Sequence, residues 1–585
     1  MMTKLLSNFE KKGYLITTFH KLNYPKNSRL IFIDECLFNL YDVENKSDYK
    51  CSYIYSIDQL NNLNNSIDNI IKKKTKIYRK EIQILLNAYH KVNENEKYWG
   101  FIIDQFLIIL LRLIILEISL YKKINVKNFN LINGIIKNPK IFDTQTFLTY
   151  SSSNDFKKLL SSLVLKELGN KFVNLKLLNV YKISKKNKKK IAISILRFFI
   201  KSYIYLIKPI LIVNGYIGIK NTINFFLRSF GNIINVPDSF LFNEIYNNNL
   251  MDKNFRVKIK IVEIDIIDKI FNKIIGKVFP MSYLENFNVI KKNYIKISKK
   301  IKIIGTGNSH YHTDHFNILT SEILKNKNGK FLVFQHGGGI SRTSNLEINY
   351  KDQKYSFRRY YFENKAGLGM HFFTQKKISL DEIRKRSLIL ILNGIINYRS
   401  VEKYYHSRFI KLDPSFIFFS KLNEKRKKDI SIKLFPIKNS SLVKKFWNKK
   451  FGHKVNFFPF FSNAKKENFY NAKLVILNDI STPLYEILFC GIPFILICNQ
   501  STLEAWQYKK LFKKKINKLK KLNLFFNDPI KAADFLNSFD ENHLIEEWWK
   551  GIINTKIFLD FKNFLIVERE NYIPKMVKEL QRLNK

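Results

Sequence analysis

The chain has 585 residues, 46% of them hydrophobic and 25% charged; that balance excludes a disordered, collagen-like or mucin-like chain, and the length asks for two to four domains. Lys and Arg number 101 against 48 Asp and Glu, and the resulting charge of +53 would ordinarily point to nucleic acid or an anionic membrane. Lys, Asn and Ile, all with A/T-rich codons, crowd the whole sequence, so a base-composition bias accounts for much of that charge without any partner.

The opening, MMTKLLSNFEKKGYLITTFHK, lacks the apolar core of a signal peptide. Residues 28–40 (SRLIFIDECLFNL) read as a buried strand, and a polar helical stretch with a lysine run at 72–80 follows. Residues 101–121 are strongly apolar but carry Asp104, Arg112 and Glu117, and residues 191–213 carry Arg197, Lys201 and Lys208. Neither is a clean apolar run of about 20 residues, so both are expected as helices, the first buried and the second basic and amphipathic. Residues 125–300 are read as a mainly helical insertion. From 299 the pattern changes to short apolar strands, Gly-rich or polar turns and helices. KIKIIGTG leads into a helix near 314–326, and KFLVFQHGGG ends in a glycine turn. A second series comprises SLILILNG (387–394), ISIKLFP (430–436), VNFFPF (455–460), AKLVILND (472–479), a helix at 482–490, and IPFILIC (492–498). Strands alternating with helices predict an α/β chain with doubly wound parallel sheets. Four scattered cysteines, Cys36, Cys51, Cys490 and Cys498, make no disulfide framework and fit a reducing compartment, so a cytoplasmic location is expected.

The chemistry-bearing residues cluster at the turns after these strands. GTGNSHYHTDH offers Gly305 and Gly307 for close backbone approach, Thr306, Asn308 and Ser309 as polar contacts, and the histidines 310, 312 and 315. Such turns, opening into a helix N-terminus, are where α/β folds bind anions. In QHGGG, three glycines directly after a strand predict a turn pressed against a ligand, with His336 at its lip; the alternative is an ordinary hydrogen-bonded structural histidine. HYHTDH also fits a metal-binding H-x-H-x-D-H pattern, so His310, His312, Asp314 and His315 define a competing zinc-hydrolase reading. Against it, the later ligands of a dinuclear site, for which His371, Asp381 or Asp413, and His406 or His453 fall at loosely possible distances, lack the surrounding Gly-rich loop. LVILNDISTPLYEILFCGIPFILI (474–497) places Asp479, Ser481 and Thr482 between a strand and a helix, forming a diphosphate cradle, with Glu486 one turn on, in reach of a sugar or ribose hydroxyl. Plain helix capping is the alternative, although the whole strand–D-x-S-T–helix–E–G-x-P array is far more specific than one cap.

The array NDISTPLYEILFCGIP resembles the nucleotide-sugar end of GT-B glycosyltransferases. More closely, the chain resembles surface-carbohydrate transferases encoded in bacterial O-antigen regions. LIFIDECLFNLYDVE, Tyr98-Trp99, GTGNSHYH with QHGGG, LFFNDPIKAADFLN and Trp548-Trp549 carry the likeness. A more distant likeness is to glycerophosphate and Kdo capsule transferases. The resemblance implies two Rossmann-like, GT-B-type domains facing a cleft. They would be residues 1–375 on the acceptor side, with the helical insertion at about 125–300, and 386–540 on the nucleotide-donor side, with a helical tail at 541–585. It implies a nucleotide-activated sugar or polyol phosphate as donor, a lipid-linked or surface glycan precursor as acceptor, and no cofactor or metal. His336, or else His310, would be the general base; Gln335, Gly337, Gly338, Lys433, Asp479, Ser481, Thr482 and Glu486 would hold the donor. The turn Gly305, Thr306, Gly307, Asn308 and His312 would face phosphate or acceptor. The lysine runs leave open a peripheral contact with anionic lipid at the inner membrane face. No zinc knuckle, P-loop or ribonucleoprotein motif supports nucleic acid.

Overall fold

A computed structural model describes residues 13–16, 29–34, 50–55, 59, 63, 66–122, 129–130, 134–151, 153–169, 175–180, 190–215, 219–242, 251–311, 313–334, 359–362, 378–385, 389–393, 414–434, 444, 447–448, 451–452, 455–457, 472–478, 480, 482–498, 510–539, 543–565 and 572–584. It is a mixed α/β structure with small sheets, and every strand pairing among the described residues is parallel. Strands β1 (Gly13–Ile16), β2 (Arg29–Asp34), β3 (Lys50–Tyr55) and β4 (Phe129–Asn130) form a sheet of order β3-β2-β1-β4, and β5 (Gly134–Pro139) pairs with β6 (Leu175–Val180). Strands β7 (Ile210–Val213), β8 (Ile233–Val236), β9 (Ile303–Thr306), β10 (Lys330–Phe334) and β11 (Arg359–Phe362) make a sheet of order β11-β10-β9-β7-β8. Strands β12 (Ile389–Asn393), β13 (Ile430–Leu434), β14 (Asn456–Phe457), β15 (Leu474–Leu477), β16 (Phe494–Ile497) and β17 (Phe525–Phe526) make a fourth, of order β14-β13-β12-β15-β16-β17. Strands β7, β15 and β16, each paired on both sides, read ILIV, LVIL and FILI and are buried at every position, because a parallel sheet covered on both faces has no polar side to alternate with.

Helices cover both faces of the two larger sheets. In the five-stranded sheet, Leu211, Val213 and Ile304 face a core that includes Phe316 and Leu319 of the helix Asp314–Lys325. Ile210, Ile212 and Ile303 face the other way, onto Phe225 of the helix Ile219–Arg228. In the six-stranded sheet, Val475 and Leu477 pack with Leu484 and Leu488 of the helix Thr482–Cys490, whereas Leu474 and Ile476 pack with Phe416 and Phe419 of the helix Pro414–Lys421. Both sheets are therefore wound in two directions.

The strongly apolar segment is the helix Glu96–Tyr121, started by the Asn95 side chain, which accepts from the Tyr98 amide. Two of its buried carboxylates have partners inside the protein. Asp104 pairs with Arg79 at 2.6 Å, and Glu117 accepts from the Ser161 hydroxyl. Among the described residues no helix is long and apolar enough to cross a membrane. Tyr98 and Trp99 are core residues, with the Tyr98 hydroxyl donating to Glu322 at 2.6 Å and the Trp99 ring nitrogen to Asn87 at 2.7 Å.

Two expectations are corrected. The helix expected over 191–213 is the helix Lys190–Ile207 followed by β7, and the region 125–300 is not solely helical, since β7 and β8 belong to the same sheet as β9–β11. Four-residue strands built from the same Ile and Leu as the neighbouring helices carry no periodicity of their own. Trp548 and Trp549 fasten helix His543–Ile553 to the six-stranded unit. Their ring nitrogens donate to the carbonyls of Leu522 (3.3 Å) and Gly491 (3.1 Å). The final helix, Tyr572–Asn584, instead returns to the five-stranded sheet and lays Met576, Val577 and Leu580 on Ile210, Ile233 and Leu332.

Candidate functional site

An open parallel sheet binds ligands beyond its strands' carboxyl ends, beside the point where the strand order reverses and two helices diverge to opposite faces. The five-stranded sheet reverses between β7 and β9, and the six-stranded sheet between β12 and β15.

At the first reversal the loop after β9 is pinned to the loop after β7. The Gly307 amide donates to the Asn214 carbonyl at 3.1 Å. The Asp238 carboxylate then takes three side-chain hydrogen bonds, from Asn214 Nδ2 (2.5 Å), Ser309 Oγ (2.8 Å) and Thr313 Oγ1 (3.0 Å), while the Asp238 amide donates to Asn214 Oδ1 at 3.1 Å. Asn214 sits in the left-handed backbone region, φ 49°, where Asn is among the side chains best tolerated. Asn214 and Asp238 escaped the sequence reading. The signal was available: PILIVNG ends an apolar run in Asn-Gly, just as KIKIIGTG ends in Gly-Thr-Gly.

The other residues of this turn have internal duties. A side chain on Gly305 would come within 2.7 Å of the Phe334 ring and 3.2 Å of Leu332 Cβ, so this glycine serves the fit of β9 against β10. Thr306 is fully buried, and its hydroxyl accepts from the Ser309 amide at 2.9 Å. Asn308 lies between β9 and the 3-10 turn Ser309–Tyr311. His310 is buried, with its ring stacked 4.4 Å from Tyr311 and edge-on to Phe331.

Asp314 and His315, expected in the metal alternative, are committed elsewhere. Asp314 Oδ2 accepts from the Thr144 amide at 2.9 Å and from the Ser282 hydroxyl, and its Oδ1 accepts from the Tyr283 hydroxyl at 3.1 Å. Burial is the main force lifting its carboxyl to about 7, against those hydrogen bonds. His315 Nδ1 meets the Tyr294 hydroxyl at 3.1 Å, and burial lowers its imidazole to about 4. Among the described residues no three His, Cys, Asp or Glu side chains gather as a metal group.

At the second reversal, β15 runs into the buried Asn478, and the helix Thr482–Cys490 begins three residues beyond position 479. Its end is set by Gly491, φ 76°, whose amide and that of Ile492 both reach the Ile487 carbonyl, at 2.9 and 3.1 Å. Glu486 stands one turn into the helix, half-buried. Lys433 is the penultimate residue of β13 and pairs in register with Leu392 of β12, so it stands near the carboxyl end of the sheet. The side chains of Gln335, His336, Gly337, Gly338, His312, Asp479, Ser481 and Thr482 lie outside the described residues. In the sequence, residue 335 follows the last residue of β10, and 479 and 481 fall between β15 and its helix.

Compared with known families, residues 13–580 match the LIC12162 family transferases. The chain belongs to that family. The match runs through all four sheets, so the sheet reversals and the turns beside them are parts of one transferase chain. No curated protein matches it.

Proposed function

We propose that this LIC12162 family member transfers a sugar, or a related activated polyol phosphate, from a nucleotide donor to a cell-surface glycan precursor, as in O-antigen, lipopolysaccharide or capsule synthesis. In this reading the two larger sheets are the cores of two Rossmann-like, GT-B-type domains facing a cleft, residues 1–375 on the acceptor side and 386–540 on the donor side. The enzyme works in the cytoplasm, at the inner membrane face, on a lipid-linked acceptor. The observation that carries the reading is the six-stranded order, which reverses beside β15, the strand that runs directly into the Asp479-Ile480-Ser481-Thr482 sequence.

The free amides at the start of helix Thr482–Cys490 and the hydroxyls of Ser481 and Thr482 hold the donor diphosphate, and Lys433 adds positive charge. Asp479 and Glu486 take sugar or ribose hydroxyls, while Gln335, Gly337 and Gly338 border the donor from the other sheet. His336 removes the proton from the acceptor hydroxyl as its oxygen bonds to the donor's reacting carbon or phosphorus. The bond to the nucleotide breaks, and the helix terminus and Lys433 stabilise the departing phosphate charge. His310, buried on Tyr311, supports the turn instead of acting as base.

The test is thermal unfolding with a panel of nucleotide diphosphates and nucleotide sugars, with and without chelator. A ligand at 100 times its Kd stabilises by about 2.7 kcal/mol, a readily visible shift. One nucleotide family raising the melting point regardless of chelator supports the transferase. No response to any nucleotide, with melting lowered by chelator, overturns it in favour of a metal site. His336→Ala should retain the nucleotide shift and lose transfer, whereas near-normal transfer by that variant removes His336 from the mechanism.

A further inference from the structure

More than half of the exposed large hydrophobic side chains among the described residues fall between Ile195 and Phe230. They occupy two helices and one turn. On helix Lys190–Ile207, Ile195, Phe198 (68% exposed), Phe199 and Leu206 (78%) recur at three-, four- and seven-residue steps, one continuous stripe, while Ile204 is buried on the other side. On helix Ile219–Arg228, Ile219 (83%), Ile223, Phe226 and Leu227 make a second stripe, and Phe230 (91%) stands beyond its end. An apolar stripe normally turns inward; these helices have one on the outside as well as buried residues within.

The two stripes adjoin. Ile204 shares a core with Leu211 and Val213, and Phe225 shares one with Ile210 and Ile212, so the helices cover opposite faces of the five-stranded sheet. They meet around its β8 edge, where the Tyr203 hydroxyl donates to the Gly231 carbonyl at 2.8 Å and the Tyr203 ring lies 5.8 Å from Phe226. Phe230 has a positive φ of 52°, a costly backbone for a bulky residue, and none of the described residues packs over its ring.

The charge carried by these two helices is of one sign. The sequence has no Asp or Glu between Glu167 and Asp238, and Lys208 and Arg228 are exposed at the ends of the two helices. We propose that the β8 edge with its two helices is a docking surface for an anionic lipid bilayer. The apolar stripes enter the headgroup and acyl boundary while the basic residues meet lipid phosphates. A second copy of the chain would set two pairs of helices that carry only basic charge against each other, and their repulsion disfavours it. This inference is independent of the donor site, because vesicles alone test it.

The full-length protein is mixed with vesicles of phosphatidylcholine alone, or of phosphatidylcholine with phosphatidylglycerol, and sedimented. Wild-type protein should bind the phosphatidylglycerol vesicles preferentially. The triple variant Phe198→Ser, Leu206→Ser, Phe230→Ser should lose roughly ten-fold or more of that binding. All three side chains are exposed, so its melting point should stay unchanged, which separates lost docking from lost folding. Lys208→Glu with Arg228→Glu should abolish the preference for phosphatidylglycerol. Absence of wild-type binding, equal binding to both vesicles, or undiminished binding by a folded triple variant would each overturn the proposal. A dimer in lipid-free solution that the triple variant dissolves would instead assign the surface to a second copy.

Discussion

Gly305 has no room for a side chain, and the atoms in the way are those of Phe334 and Leu332. Gly305→Ala is therefore expected to cost about 1–3 kcal/mol through overpacking. Phe334→Leu in the same chain should return part of that loss, so a double-mutant cycle followed by urea unfolding should give a sub-additive pair. An unchanged midpoint for Gly305→Ala would mean the glycine serves a ligand after all. His315 makes a different prediction. Its imidazole is held neutral down to about pH 4, chiefly by burial, with the charges of Arg197 and Lys201 adding and that of Asp143 opposing. The unfolded chain binds a proton there below about 6.5 and the folded chain does not, so the stability from this residue is present above 6.5 and lost as pH falls towards 4. His90, also lowered to about 4 by burial, acts in the same sense. Asp314, raised to about 7, opposes both, since its contribution is complete below 3.8 and is lost as pH rises through 7. The melting-point difference between the wild type and His315→Phe should accordingly shift against the wild type as pH drops from 6.5 to 4. A pH-independent difference would show that the ring is not held neutral.

At the scale of elements, Asp238 ties the loops after β7 and β9 into one unit, since three side chains from those loops donate to it. Asp238→Ala leaves Asn214, Ser309 and Thr313 without that acceptor at a half-buried position, a loss of about 1–2 kcal/mol. The effect should be local: hydrogen exchange should quicken at the Ser309 amide and the first turn of helix Asp314–Lys325, and Asp238→Asn, which keeps one acceptor, should show less. Uniform acceleration over all four sheets would deny the aspartate this role. The sequence disclosed one side of this arrangement and hid the other. The helix at 482–490 and the strands around it were legible because Gly491 and Pro493 punctuate long apolar runs, and only one arrangement of strand and helix fits between them. β9, β10 and the helix at 314–325 were legible for the same reason. β7 and β8 were not, because ILIV and IINV lie among helices of equal apolarity; β7 becomes a strand by pairing with β9, some 90 residues away, and β8 by pairing with β7. Missing β7 meant missing Asn214 and Asp238. Motif spacing marked residues beside a strand end; which strands stand side by side is a tertiary fact that spacing does not encode.

Across the whole molecule, the last helix joins what the middle of the sequence separates. Tyr572–Asn584 follows the six-stranded unit in the chain, yet its apolar side completes the core over Ile210, Phe225, Ile303 and Leu332 in the five-stranded one. Lys330, first residue of β10, donates to the Leu583 carbonyl and holds the helix's final turn, where carbonyls lack partners of their own. Leu580 is fully buried in that contact, so Leu580→Ala should cost about 2–5 kcal/mol. The location of the loss is the discriminating result. If the helix belongs energetically to the sheet it covers, exchange should accelerate at β7, β9 and β10 while β12, β15 and β16 keep their protection. If the chain end is instead stabilised as part of the second unit, those three strands should lose protection as well. Deleting the helix should go further, leaving one apolar sheet face open to water and the shortened protein prone to associate at concentrations where the full chain is monodisperse. A truncated protein that stays monodisperse, with unchanged protection at β7, would show that something other than this helix covers that face.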